Sequence, residues 1–256
     1  MSNFPVSVTL NMGDEKATST TKALMLGTLG QTPDGRRFRY ALNAATSIAG
    51  GNLIQSAVSV GSSVHTGGLT MSTVGVGTVI ATGGSTVSLV MVTTNLSSAN
   101  MYADGYLHID TAPGSGVYVI KSHASGGSAT AVEFVLYGSD PIRDPFSTVS
   151  KFGLRRNPYA DVVVAAATPT GPIVGVTPKE IPASHYFWAQ VSGFGSLNLD
   201  TLTTAPGQNI GFSGSSAGHG FALTSAADSV TYPIVAEAHT AASAADTMHF
   251  VKIKIE

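Results

Sequence analysis

The chain has 256 residues, of which 43% are hydrophobic and only 11% charged, with a formal net charge of −2 and no cysteine. That length supports one large β domain or two of ordinary size, and high hydrophobicity with little net charge excludes a disordered chain. The charge balance excludes the Lys/Arg footprint that a nucleic-acid backbone requires, and the absence of cysteine excludes disulfides and thiolate metal sites.

In chain order, Val6-Ser7-Val8-Thr9-Leu10 alternates with period two and predicts a strand. Met12 to Thr21 is polar and Ser/Thr-rich, carries Asp14-Glu15-Lys16, and reads as an arm or long loop with solvated charges. Residues 1–30 are therefore expected to be an N-terminal strand and arm. Thr32-Pro33-Asp34-Gly35 predicts a hairpin turn, because Pro presets φ and Gly supplies the positive φ that releases the next strand. That strand is Arg37 to Leu42. Val60 to Ser85, dominated by Gly, Ser, Thr and Val, reads as an extended loop or edge ribbon. One helical turn is expected near Ser97 to Tyr102. Strands Thr86 to Thr93, Val117 to Lys121 and Ala131 to Tyr137 complete a first β module over residues 31–156, with Gly/Ser/Thr-rich segment 60–85 inside it.

Asn157-Pro158-Tyr159 predicts a boundary, since Pro forces the preceding residue into extended geometry. Beyond it, Val162 to Ala165, His185 to Val191, Val230 to Ala236 and Phe250 to Ile255 are the strands of a second module over 157–256, the two modules standing alone or forming one discontinuous domain. No segment keeps an apolar pattern at helical spacing over three turns, and Gly or Pro interrupts almost every window that could. The expected fold class is all-β: sandwich or barrel modules with long loops and an N-terminal arm, and little or no helix. A weak internal echo joins Phe38-Arg39-Tyr40-Ala41, followed by Gly51-Asn52-Leu53-Ile54, to Phe187-Trp188-Ala189-Gln190, followed by Gly207-Gln208-Asn209-Ile210. Two occurrences do not establish a repeat.

Each candidate for chemistry lacks its required context. Gly214-Ser215-Ser216-Ala217-Gly218 has the letters of a nucleophile elbow, which would make Ser216 the nucleophile, but a strand rather than a helix is expected to follow. The histidines at 65, 108, 123, 185, 219, 239 and 249 form no HExxH or His/Cys group. His108 and Asp110 share a strand face, yet a solvated pair beside a turn explains them. Asp14 and Glu15 are neighbours in a loop, not two carboxyls facing across a cleft. No Walker Lys-Ser/Thr pair and no strand-to-helix Gly-rich loop is present. No enzyme activity, catalytic residue, cofactor or metal is expected.

Two basic groups remain. Arg36, Arg37 and Arg39 surround the first hairpin, and Lys151, Arg155 and Arg156 precede Asn157-Pro158. Arg37 and Arg39 share a strand face and have the fork geometry to take carboxylates of a partner; solvated edge charges that discourage strand pairing are the alternative. Arg36, Arg37, Arg39, Arg155 and Arg156 are the candidate partner-interface residues. Trp188, the one tryptophan, stands beside Tyr186 and Phe187 as a core residue or, alternatively, a sugar-stacking platform. Met1 to Pro5 lacks a basic and apolar leader, and no stretch approaches the ~18 apolar residues of a membrane span. Synthesis in the cytoplasm and no membrane partner are expected.

Gly35-Arg36-Arg37-Phe38-Arg39-Tyr40-Ala41 with Gly51-Asn52-Leu53-Ile54-Gln55-Ser56 resembles the opening of small virion proteins encoded near the major capsid protein in tailed bacteriophages. Tyr102-Ala103-Asp104-Gly105-Tyr106-Leu107 leading to Tyr118-Val119-Ile120-Lys121-Ser122-His123, then Asn157-Pro158-Tyr159, and Tyr186-Phe187-Trp188-Ala189-Gln190-Val191-Ser192-Gly193, are similar to the same group. The resemblance runs from about Gly27 onward and lies in turn-and-strand patterns. It implies a capsid decoration or cement protein on the exterior of the virion, often trimeric, whose partners are the major capsid protein and further copies of itself. It carries over no catalytic residue. The competing expectation is a head or tail fibre module that binds host polysaccharide.

Overall fold

The structure, a computed structural model, describes residues 7–57, 69–70, 83–90, 98–109, 116–126, 131–145, 151–168, 170–200, 204–212, 215–224, 232–241 and 247–256. Its strands in the first half are β1 (Ser7–Thr9), β2 (Leu29–Gln31), β3 (Arg37–Leu42), β4 (Leu53–Gln55), β5 (Leu69–Thr70), β6 (Thr86–Val90), β7 (Tyr106–Ile109), β8 (Gly116–His123) and β9 (Ala131–Leu136). There follow β10 (Lys151–Arg155), β11 (Val163–Val164), β12 (Ile173–Val176), β13 (Tyr186–Leu199), β14 (Asn209–Phe212), β15 (Gly220–Ala222), β16 (Ile234–Ala238) and β17 (Thr247–Lys254). The fold is all-β, as composition and alternation predict. The one helical turn among the described residues is a 3-10 turn at Asp14–Lys16. Residues 98–104, where a helical turn is expected, form bends and turns instead.

The chain divides into two compact units, one of residues 59–157 and one of residues 4–58 with 158–256. Residues 31–58, assigned by sequence to the first module, therefore belong with the second. The cause is strand pairing at long range: β4 pairs with both β11 and β12, and β3 pairs with β13. Most of segment 60–85 lies outside the described residues.

In the two-segment unit, β13, β17, β16, β14 and β15 pair in turn, and β15 returns to β13, closing a small barrel. Its interior is filled by Leu197, Leu199, Ile210, Val235, Val251 and Ile253; β17 and the end of β13 alternate in burial, whereas β14 and β16 bury consecutive residues around an irregularity in their pairing. The first half of β13 leaves the barrel to pair with β3, followed by β2 and β1. There both faces are covered: Phe187 and Ala189 pack with Ile48, Ile54 and Val162, and Trp188 packs on the opposite side with Phe38, Tyr40 and Leu10. The two aromatic strands of the internal echo are thus antiparallel neighbours, Trp188 opposite Tyr40.

One strand serves both the barrel and the β1–β3 extension of the same sheet because it bends at Gln190–Ser192, where the register with β3 shifts. Gly193 has φ +92°, and a Cβ there would lie 3.0–3.1 Å from Arg36, so only glycine fits. The buried Gln190 amide donates to the carbonyls of Ser192 and Phe194, at 3.3 and 2.8 Å. Gln190→Leu is expected to destabilise this unit by about 1–3 kcal/mol, since it strips buried carbonyls of their donor at nearly constant volume. Chemical denaturation checks it, and an unchanged midpoint contradicts the role given to Gln190.

The insert unit, residues 59–157, holds a six-stranded sheet in the order β5-β10-β7-β8-β9-β6. Alternation on β7 and β9 sends Leu107, Ile109, Val132, Phe134 and Leu136 into one core with Val87, Leu89, Tyr118 and Ile120.

Candidate interaction surface

The basic group on the first hairpin is absorbed within the chain. Arg36 donates from Nε to Asp34 at 2.7 Å and from Nη2 to Glu15 at 3.2 Å, and its guanidinium lies 5.6 Å from the centre of the Phe38 ring. Arg39 does make the forked carboxylate contact its strand position predicts, but the carboxylate is Glu256 of its own chain: Nε and Nη2 reach Oε2 at 2.9 and 2.6 Å. Arg37 donates to the Glu256 backbone carbonyl at 2.7 Å, and the Tyr159 hydroxyl to its Oε1 at 2.8 Å. Burial raises the Glu256 pKa, but the hydrogen bonds from Arg39 and Tyr159 and the charges of Arg39 and Arg37 outweigh it and hold the carboxyl below its ordinary value. Arg36, Arg37 and Arg39, the candidate partner-interface residues, tie the chain to itself. Arg155 is exposed at the end of β10, and Arg156 donates to the Met101 carbonyl at 3.3 Å.

The predicted arm is docked as well. Ser19 and Tyr186 exchange backbone hydrogen bonds of 3.0 and 2.8 Å, and Ala23 N–H donates to the Tyr40 hydroxyl. Glu15, read from sequence as a solvated charge, is 2% exposed against Arg36, whereas Asp14 is exposed and accepts from Asn11. An arm so bonded is part of the unit rather than a free tether.

The remaining sequence candidates take structural places. Trp188 is 7% exposed, edge-on to Tyr40 at 5.2 Å, which makes it a core residue and removes the sugar platform. Residues 215–218 lie in the turn that runs directly into β15, and Ser215 Oγ donates to the Asp200 carboxylate at 2.8 Å. A nucleophile elbow would need a helix there and a histidine between serine and acid. His108 is exposed on β7, and its proposed companion Asp110 lies outside the described residues, as does His65. Among the described residues no group of three His, Cys, Asp or Glu is placed to hold a metal ion.

A face that the sequence reading did not single out is the outer side of the barrel. On β17 the parity that buries Val251 and Ile253 turns Met248, Phe250, Lys252 and Lys254 outward, and on β13 it turns Phe194 and Ser196 outward. Phe194 pairs with Lys252, Ser196 with Phe250 and Asn198 with Met248. The Phe194 and Phe250 rings stack at 5.4 Å and 11°, and both meet the exposed His239 edge-on, at 4.9 and 5.6 Å. Phe194, Phe250 and Met248 are 44%, 45% and 60% exposed on one outward face, the two rings in contact and Met248 two residues before Phe250 on β17. Lys254 and Glu237, paired with each other, form the polar margin of that face. Scattered apolar residues on a surface need no explanation, whereas a contiguous aromatic strip with a charged margin has the anatomy of an interface.

The chain matches no protein-family model, no curated protein and no solved structure with which it was compared.

Proposed function

We propose that this chain is a non-enzymatic structural subunit of a tailed-phage particle, a decoration or cement protein that binds the outer face of the shell. Its partners on this reading are the major capsid protein and further copies of itself, with a trimer as the expected assembly. The observation that carries the proposal is the exposed Phe194, Phe250 and Met248 strip on the barrel. The resemblance of the strand and turn motifs to small virion proteins, and the low charged fraction of 11%, support it. Few charges leave little repulsion between copies packed on a lattice. Many modest contacts repeated over a shell sum to a firm hold, so no copy requires a large hot spot.

The double substitution Phe194→Ser/Phe250→Ser tests the proposal. Both rings point away from the barrel core, so circular dichroism and thermal unfolding are expected to stay close to those of the unsubstituted chain. Binding to purified shells lacking this protein, read by co-sedimentation, is expected to weaken at least tenfold, the scale of removing interface hot spots worth about 2 kcal/mol or more. Failure of the unsubstituted chain to sediment with shells overturns the function, and equal sedimentation of the variant overturns the face.

A further inference from the structure

In the insert unit, His123 closes β8 with only 5% of its surface exposed. Its ring lies against Phe134 at 4.9 Å and Tyr102 at 5.8 Å. Nδ1 stands 2.7 Å from the Ala124 carbonyl oxygen, which can only accept, so Nδ1 carries the ring proton. Nε2 accepts the Tyr102 backbone N–H at 3.0 Å. Both nitrogens are committed, and the pairing requires the neutral ring.

The same residue holds loop 98–105 through its backbone. His123 N–H donates to Asn100 Oδ1 at 3.0 Å, and Asn100 N–H donates back to the His123 carbonyl at 3.0 Å. The far end of the loop is anchored independently: Asp104 N–H donates to Ile120 O at 2.8 Å, Ile120 N–H to Gly105 O at 2.9 Å, and the Tyr137 hydroxyl to Asp104 Oδ1 at 2.7 Å. Asn100 and Asp104 have φ of 62° and 60°, left-handed backbone that non-glycine residues keep only where surroundings impose it.

We propose that His123 is an acid-released latch: a proton on Nε2 turns the acceptor of the Tyr102 N–H into a second donor, freeing loop 98–105 at its Asn100–Tyr102 end while the Asp104–Gly105 end stays anchored. Among the described residues, those packed on the ring give the imidazolium no compensating carboxylate. On the loop, Tyr102 meets the ring with its N–H and its aromatic face, and the Asp104 carboxylate is taken by Tyr137. From the segment after β10, Arg156 donates to Met101 O and places a positive charge beside Tyr102. On β9, Glu133 points outward while Phe134 meets the ring, and on β8 the nearest charge is the exposed Lys121. Burial lowers the His123 pKa, outweighing the Ala124 carbonyl bond that favours the proton. A histidine depressed in the closed form is fully latched above its ordinary value of about 6.5, and the closed-to-open ratio falls by up to about tenfold per pH unit below it.

Hydrogen exchange resolved by residue, corrected for intrinsic rates, tests the latch at pH 7.5 and 5.0. Protection of the Tyr102 and Asn100 amides is expected to drop severalfold at the lower pH, while Asp104 and Ile120 change less than twofold. His123→Gln, which keeps an acceptor and cannot titrate, is expected to remove the difference. Equal Tyr102 protection at both pH values, or the same drop in His123→Gln, overturns the proposal. Should that variant not fold, the ring nitrogens in the unsubstituted chain decide by NMR: an Nδ1–H tautomer titrating below the ordinary histidine value supports the latch, and an Nε2–H tautomer or an ordinary titration refutes it.

Discussion

Trp188→Ala is expected to destabilise the two-segment unit by about 3–5 kcal/mol, the range for emptying a large aromatic site in a packed core. The indole sits among Leu10, Leu26, Phe38, Tyr40 and Ala160, and a Cβ added at Gly30 would lie 2.8 Å from it. Glycine at 30 lets β2 approach that closely. Gly30 has no side chain to enter the void, so it falls to flexible neighbours such as Leu10 and Leu26 to move into it, and much of the cavity term remains. Because β1 and β2 dock on this side, their amides should lose hydrogen-exchange protection first. A sugar-binding surface tryptophan would behave oppositely, losing ligand with stability intact. A change below about 1 kcal/mol would contradict the core assignment.

Arg36→Met should cost about 3 kcal/mol or more, because it leaves the Glu15 carboxylate buried without its cation. Glu15 is 2% exposed, and its remaining support is its own backbone N–H and the Gly13 N–H, the latter at 2.6 Å. In the unsubstituted chain burial raises the Glu15 pKa, but the backbone hydrogen bonds and Arg36 prevail and hold it below 4.5. A carboxyl depressed on folding contributes stability that is present above its unfolded value and is lost as pH falls through the folded one. In Arg36→Met the Glu15 and Gly13 N–H bonds still oppose burial but the cation is gone, so the folded pKa rises and the loss of stability on acidification becomes smaller in the variant. A shallower fall of stability with decreasing pH in the variant than in the unsubstituted chain, measured by urea titration, is the signature. Glu15→Met/Arg36→Met should recover most of the loss, since neither charge remains. A double variant as unstable as Arg36→Met would show that the packing of the arginine, not the ion pair, is what matters.

Local patterns were legible in the sequence where one face is buried and no glycine intervenes. Arg37 to Leu42 alternates cleanly and is β3, and Ala131 to Leu136 is β9. The second half of β13 was not legible, because Gly193 and Gly195 mark a strand end on propensity, whereas here Gly193 follows the bend that carries the strand from β3 into the barrel and Gly195 pairs regularly with β17. β2 and β12 were missed for the same reason, each carrying an internal glycine, Gly30 or Gly175. The division into units was hidden because β4 finds its partners beyond residue 160. Arg39 illustrates the limit for sites: its fork and its taste for a carboxylate follow from residue type, but that the carboxylate would be Glu256 depends on β3 and β17 flanking β13. The outer barrel strip left a trace that could have been read, since Phe250 shares its strand parity with Lys252 and Lys254. A phenylalanine in phase with two lysines faces water or a partner.

The central claim, that this β subunit decorates a phage shell from outside, is tested most directly by a cryo-electron microscopy map of the intact particle. The account predicts density for this chain on the outer surface, repeated with the lattice, with Phe194, Phe250 and Met248 against shell protein. Density inside the shell, association with packaged nucleic acid, or absence of the chain from purified particles would contradict it.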